Sequence, residues 1–177
     1  IIDEVILGEV RQSTEASNIA RSALLEAGFP ETIPGFTVNR LCASSMQAVN
    51  SGCQEIWLGE ADCIVAGGTE NMSRAPIYLR GTRWGGNKNI EAGTTAQPYT
   101  VYGSGLSISK TAENVAERFH ISKEEQDAFA VESQHRAAEA IAAGYFKEEI
   151  LPIEVKEKKS SFIFDTDEFV KPTTTME

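Results

Sequence analysis

The chain has 177 residues, of which 41% are hydrophobic, so it can bury the core of one domain, or of one domain and part of another. A net charge of −10 at pH 7 argues against nucleic acid and anionic membrane as partners, because both need a basic patch. The three cysteines form no Cys-x-x-Cys pair, so neither a disulfide framework nor a metal site is predicted, and a cytoplasmic location is expected.

The first part of the chain alternates strand and helix signals. Short apolar runs predict buried strands, and an Ala- and Leu-rich segment ends at Gly28 with Pro30 just beyond, which is a helix stop. Strand, helix, strand, helix, strand predicts a parallel sheet covered by helices on both faces. The predicted strands are Val5–Leu7, Phe36–Leu41 and Cys63–Ala66, and the predicted helices are Ala16–Ala27 and Cys42–Leu58.

The second part is irregular and then helical. Residues 74–106 carry scattered glycines and aromatics without a sustained period, and a loop of that length predicts a binding loop or lid. A helix follows over Thr111–Phe119, and Ser122 and Glu125 form a capping box that starts a longer helix ending at Gly144. The remaining predictions are short strands at Ile150–Val155 and Phe162–Phe164, and solvated surface histidines at positions 120 and 135.

Cys42 stands where the second strand becomes the second helix. The first turn of a helix has unpaired N–H groups and the positive end of the helix dipole, and both favour a thiolate, which is a nucleophile. Met46, Val49, Cys53 and Ile56 would share one face of this helix. From spacing alone, an inert buried cysteine is an equally good interpretation.

A double glycine, Gly67-Gly68, closes the third predicted strand. Ligands of open α/β sheets gather at the carboxyl ends of the strands, so this segment and Cys42 are expected to face one crevice. The glycines would permit either a close approach of backbone or simply a tight turn.

Ordered motifs occur along the whole chain. Val38-Asn-Arg-Leu-Cys42-Ala-Ser44-Ser45-Met46-Gln-Ala48 and Gly67-Gly-Thr-Glu70-Asn-Met72-Ser73 resemble the nucleophile segment and the Gly-Gly-x-Glu-x-Met-Ser strand end of the thiolases. This family comprises acyl-CoA acetyltransferases and 3-ketoacyl-CoA thiolases. Four further segments of this chain resemble parts of the thiolase loop domain. They are Thr111 to Glu117, Glu124 to Gln134, Phe146 to Ile150 and Phe164 to Glu177.

The resemblance implies a fold, a reaction and a role for Cys42. The fold is a layered α/β thiolase fold with a parallel-dominated sheet between helices, and residues 1–73 would be part of the core domain and 74–177 most of an α-rich loop domain. Cys42 would be the acylated nucleophile in thiolysis of 3-ketoacyl-CoA or the reverse condensation, with its N–H in an oxyanion hole. Coenzyme A and acyl-CoA would be substrates, and no permanently bound cofactor is implied.

Departures from the family pattern fall at three places. Ser45 replaces a glycine that is common in the family. Ser107-Ile108-Ser109-Lys110 stands where His/Met-Met-Gly is usual, so Ile108 would line the acyl pocket, and Lys171-Pro172 stands where arginine is usual, so Lys171 would lie near the CoA phosphates or adenine.

The family's Gly-His-Pro and Cys-x-Gly motifs, which supply the base and the second cysteine, do not occur in this sequence. The chain therefore reads as an incomplete thiolase, inactive or slow by itself. The family's first strand would precede Ile1, which predicts a gap in the middle of the sheet. A dimer or tetramer is implied through the strand at 36–39. The alternatives are a related ketoacyl synthase or a non-catalytic protein of this fold that binds CoA or lipid or serves as a scaffold.

Overall fold

A computed structural model of the chain describes residues 2–85, 89–92 and 107–176. The chain divides into two compact units, Ile1–Gly103 and Ser104–Glu177. The functional division expected between residues 73 and 74 remains a prediction.

The first unit is built on a parallel three-stranded sheet. Its strands are β1 (Glu4–Gly8), β2 (Gly35–Val38) and β3 (Ile64–Gly68), in the order β2-β1-β3. The parallel sheet is therefore confirmed, but the predicted gap is wrong. Strand β1 occupies the centre because its residues pair with both neighbours, as Gly8 does with Val38 and with Gly68.

Two helices cover opposite faces of this sheet, as predicted. Helix α1 (Ile19–Glu26) supplies Ala20 and Leu24, which bury against Val5 of the central strand. Helix α2 (Ser44–Leu58) lies against Gly8 instead. Because side chains alternate between faces along a strand, residues three apart, such as Val5 and Gly8, point to opposite sides.

Helix α1 begins three residues later than its apolar pattern predicted. Asn18 is its N-cap and accepts a hydrogen bond from the N–H of Arg21 at 3.1 Å. The Asn18 amide also donates to the carbonyl of Gly35 at 2.9 Å, and Thr37 donates to Asn18 at 2.9 Å. Asparagine at an N-cap pairs an otherwise orphaned N–H, which sets the start of the helix.

Helix α2 packs through small residues. Ser44, Ala48 and Gly52, four residues apart, are its buried positions, so the helix backbone can approach the sheet closely. The apolar face predicted from the sequence lies elsewhere and is largely exposed, with Met46 at 65% and Val49 at 44%. At its end, Gly59 takes the left-handed conformation that favours glycine, with φ of 73°.

Part of the irregular segment is ordered as a hairpin. Strands β4 (Ile77–Arg80) and β5 (Asn89–Ala92) pair antiparallel after a short 3₁₀ turn at Met72–Arg74. The sequence showed no alternation that would have revealed this pairing. Residues 86–88 and 93–106, about half of the predicted binding loop or lid, lie outside the described residues.

The second unit contains helices α3 (Ile108–Phe119) and α4 (Lys123–Ala142) and a hairpin of β6 (Ile153–Lys156) and β7 (Ser161–Phe164). The predicted capping box is confirmed, since Ser122 and Glu125 each accept the other's backbone N–H. His135 does more than face water, because its Nε2 lies 3.0 Å from the carbonyl of Thr174. Among the helices that the structure describes, none is long and apolar enough to span a membrane.

Candidate active site

The carboxyl ends of the three parallel strands meet at one edge of the first sheet. Gly8 pairs with both Val38 and Gly68, so the segments that follow these residues start side by side. Cys42 follows β2 and Glu70 follows β3, which brings both sequence motifs to the same edge, as predicted. This is the edge where ligands bind in open α/β sheets.

Hydrogen bonds tie these three segments together. The Glu70 carboxylate accepts the backbone N–H of Val10 at 2.9 Å and that of Arg11 at 3.1 Å. The amide of Asn39 donates to the carbonyl of Val10 at 3.0 Å. The segment after β1 is thus held from both sides, by one residue from the segment that follows each neighbouring strand.

Residues 39–44 form a tight turn between β2 and α2, here named the cysteine turn. Leu41 has φ of 52°, a left-handed conformation that is uncommon for a residue other than glycine. The N–H of Leu41 donates to Oδ1 of Asn39 at 3.0 Å. The Ser44 hydroxyl accepts the N–H of Arg40 at 2.9 Å and donates to the Leu41 carbonyl at 2.6 Å.

Cys42 is exposed in this turn and carries a free thiol. The interpretation of Cys42 as a buried small hydrophobe is therefore wrong for this chain. The N-cap position of α2 is Ala43, which makes no side-chain cap hydrogen bond. The first-turn N–H groups beside the cysteine are consequently not occupied by a capping side chain, and the positive end of the helix dipole faces this region.

Two glycines let the start of α2 sit directly on the strand ends. A Cβ added to Gly8 would lie 2.4 Å from the carbonyl carbon of Ser44, and one added to Gly68 would lie 1.9 Å from Oγ of Ser45. At Gly68 the close-approach interpretation is confirmed. At Gly67 a Cβ would make only ordinary contact, at 3.6 Å from a Leu7 methyl group.

Glu9 is a buried carboxyl at the same edge, 7% exposed. Burial raises its pKa, and the negative charge of Glu70 adds to this effect, while a backbone hydrogen bond from Ser13 opposes it. Its Oε2 has no hydrogen-bond partner within the described part of the chain. The apolar run that it follows gave no sign that this glutamate would be buried.

The other two predicted site residues belong to the second unit. Ile108 is the first residue of α3 and is 73% exposed. The backbone N–H of Lys171 donates to Oε1 of Gln134 at 2.7 Å, which fixes the main chain there on α4. Their roles in acyl-chain and CoA binding stay predictions.

Sequence reasoning missed the parts played by Asn39 and Ser44. A signal for both was present, since asparagine and serine beside a turn commonly bond to backbone groups two or three residues away. Their partners across the cysteine turn depend on the left-handed conformation of Leu41, which no local pattern predicts.

Comparisons with known proteins identify relatives of the whole chain. Residues 1–177 match the family model described as the N-terminal domain of thiolase. An acetyl-CoA acetyltransferase of Syntrophomonas wolfei is 42% identical over 178 residues, covering 98% of this chain and 45% of the relative. A beta-ketoadipyl-CoA thiolase of Pseudomonas knackmussii is 45% identical over 186 residues, covering 99% and 46%.

A solved structure shares the fold as well as the sequence. The crystal structure of human mitochondrial 3-ketoacyl-CoA thiolase in complex with CoA matches with a TM-score of 0.88 and 40% identity. The match covers 99% of this chain and 44% of that one. The chain therefore spans a little under half the length of these relatives.

Proposed function

Because the chain belongs to the thiolase family, we propose that the protein transfers acyl groups from CoA thioesters through an acyl-enzyme on Cys42. The reaction is thiolysis of a 3-ketoacyl-CoA to acetyl-CoA and a shortened acyl-CoA, or the reverse condensation. The observation that carries this proposal is the exposed thiol of Cys42 on a tight turn at the carboxyl edge of the sheet.

The proposed chemistry has two steps. The Cys42 thiolate attacks the 3-keto carbon, the bond between carbons 2 and 3 breaks, and the departing acetyl-CoA carbanion takes a proton. The thiolate of a second CoA then attacks the acyl-enzyme thioester and releases the thiolate of Cys42. A cysteine suits both steps because its acyl form is itself a thioester, so little free energy is lost between them.

This chain offers one backbone donor for the first step. During attack, negative charge develops on the keto oxygen, and a preorganised N–H near that position lowers the barrier. We assign this donor to the N–H of Cys42, assisted by the dipole of α2. The base and the proton-transferring cysteine would come from the Gly-His-Pro and Cys-x-Gly motifs, which this sequence does not contain.

Coenzyme A is the proposed common part of the substrates. It is supported by the related human structure, which is a complex with CoA. Ile108 is the proposed contact to the acyl chain, and Lys171 the proposed contact to the phosphates or adenine. A cytoplasmic location also remains a proposal, and it is compatible with the free thiols of Cys42, Cys53 and Cys63.

Mass spectrometry of the full-length protein after incubation with acetoacetyl-CoA tests the acyl-enzyme. We expect an acetyl group on the peptide that contains Cys42. Replacing Cys42 by Ala should abolish that modification, because no other thiol lies on the cysteine turn.

The matched control is Cys63→Ala, which removes another exposed free cysteine and should leave acylation unchanged. An acetyl group found on Cys53 or Cys63 in the unaltered protein would overturn the assignment. The 177 residues by themselves should turn over slowly or not at all, since they lack the base.

A further inference from the structure

The cysteine turn is held by two polar side chains that have no part in the chemistry proposed above. We propose that Ser44, with Asn39, is a positioning residue that aims the N–H of Cys42 at the developing oxyanion. This inference rests on the proposed function, because it concerns the donor used in the acylation of Cys42.

The argument begins with the peptide that joins Leu41 to Cys42. A peptide unit is planar, and this one is trans, since the described chain has no cis bond. In a trans peptide the C=O and the N–H point in opposite directions. The direction of the Leu41 carbonyl therefore determines the direction of the Cys42 N–H.

Ser44 fixes that carbonyl with two donors. Its hydroxyl lies 2.6 Å from the Leu41 oxygen, and its backbone N–H lies 2.9 Å from the same oxygen. Both donors pull the carbonyl toward the start of α2. The N–H of Cys42 consequently points away from Ser44, on the side where no hydrogen-bond partner for it occurs in the described residues.

Two further contacts hold the neighbouring peptides of the turn. The Ser44 hydroxyl accepts the N–H of Arg40 at 2.9 Å, and Oδ1 of Asn39 accepts the N–H of Leu41 at 3.0 Å. These two side chains thus bond to all three peptides from Asn39 to Cys42, and the backbone N–H of Ala43 adds a bond to the Arg40 carbonyl at 3.3 Å. These hydrogen bonds keep Leu41 in the left-handed conformation. That conformation costs free energy for any residue with a branched side chain.

The surroundings of Ser44 make its hydroxyl hard to replace. Ser44 is 3% exposed, and a Cβ on Gly8 would come within 2.8 Å of the Ser44 Cβ. Little space remains there for a water molecule to take over the two hydrogen bonds. Asn39 is exposed, but its amide bonds to Val10, which Glu70 holds in turn. The turn is therefore braced against two of the strand ends.

The test compares two reactions of Cys42 in the full-length protein carrying Ser44→Ala. Acylation by acetoacetyl-CoA needs the oxyanion donor, whereas alkylation by iodoacetamide forms no oxyanion. We expect acylation to slow by about tenfold or more, since loss of one such donor costs about 10²–10³ in rate. The rate of Cys42 alkylation should stay within about twofold of the rate in the unaltered protein, a much smaller change than the expected loss of acylation.

Two other variants complete the experiment. Ser45→Ala removes a neighbouring exposed hydroxyl that bonds to no peptide of the turn, and it should change neither rate. Asn39→Ala alters an exposed side chain and should slow acylation in the same selective way, which keeps the test decisive if Ser44→Ala does not fold.

Each possible result is decisive. Selective loss of acylation supports the positioning role. Unchanged acylation in Ser44→Ala, or an equal fall in acylation and alkylation, overturns it, because the second result would mean that the turn has merely collapsed around the thiol. If the unaltered protein is never acylated at Cys42, the proposed function fails first, and the positioning role falls with it.

Discussion

At the scale of single residues, the site edge combines an exposed nucleophile with a buried acid. Cys42 is open to reagents, whereas Glu9, which directly follows β1, is 7% exposed and has an unpaired Oε2. A buried carboxylate without full hydrogen bonding is costly, so the charged form of Glu9 opposes folding. The fold tolerates this cost at the edge where strands and site meet.

Replacing Glu9 by Gln should stabilise the protein at neutral pH by roughly 1 kcal/mol, the usual scale for a buried polar group that lacks a partner. The pKa of Glu9 is raised on folding, chiefly by burial. The stability that protonated Glu9 contributes is therefore fully present below the pKa that Glu9 has in the unfolded chain. It is lost as the pH rises through the higher pKa that Glu9 has in the folded protein. The gain from Gln should thus shrink as the pH falls.

Urea denaturation at several pH values measures this effect. The matched control is Glu60→Gln at an exposed position, which should change stability little at any pH. Equal stability of Glu9→Gln and the unaltered protein at neutral pH would show that the carboxylate is compensated in the fold.

At the scale of elements, the contact between α2 and the sheet places the cysteine turn. This contact depends on the absence of side chains, because Gly8 and Gly68 leave the room that Ser44 and Ser45 fill. The buried stripe of Ser44, Ala48 and Gly52 serves the same close approach. Packing this tight leaves little tolerance for added atoms.

Gly8→Ala should therefore destabilise the protein by about 1–3 kcal/mol, since its Cβ would lie 2.4–2.5 Å from backbone atoms of Ser44 and Ser45. Gly67→Ala is the matched control, because its Cβ would meet a Leu7 methyl group at an ordinary 3.6 Å. That variant should stay within about 0.5 kcal/mol. Urea denaturation of the two variants measures the loss of unfolding free energy in each. Equal losses in Gly8→Ala and Gly67→Ala would contradict the close packing of α2 on Gly8.

At the scale of the whole molecule, β2 is an edge of the described sheet. The carbonyls of Pro34 and Val38 accept the N–H groups of Val5 and Glu9, so by alternation the N–H of Thr37 points away from β1. An open edge invites pairing with another strand, and the family resemblance implies that this strand pairs antiparallel with its copy. A homodimer through β2 is accordingly our proposal for the assembly.

Light scattering of the full-length protein should give the mass of a dimer or a tetramer, and a stable monomer would count against the proposal. Hydrogen exchange locates the interface. Protection of the Thr37 N–H should rise with protein concentration as the copies associate. On β3, the N–H of Thr69 bonds to the Gly8 carbonyl, so by alternation the N–H of Ala66 points away from β1. The Ala66 N–H provides the internal comparison, and its protection should not respond to concentration.

Much of this architecture was accessible from sequence because it depends on neighbours along the chain. The helix start at Ser122 was predicted from a capping box, and the strand-to-helix junction at Cys42 from a change of period. The central position of β1 could not be predicted in this way, because it depends on pairing between residues far apart in sequence. Val5 pairs with Gly35 on one side and with Val65 on the other. The hairpin β4–β5 was missed for a different reason, since its segment of the sequence shows no sustained period.

The sequence by itself determined the alternating strands and helices, the placement of a cysteine at a helix start, and the family, since each depends on residue types in order. Only the tertiary structure decided that small residues of α2 face the sheet and that Ser44 and Asn39 hold the turn around Cys42. It also decided that Glu9 is buried. These features arise where separate strand ends meet, so they follow from packing in three dimensions and have no signature in local periodicity.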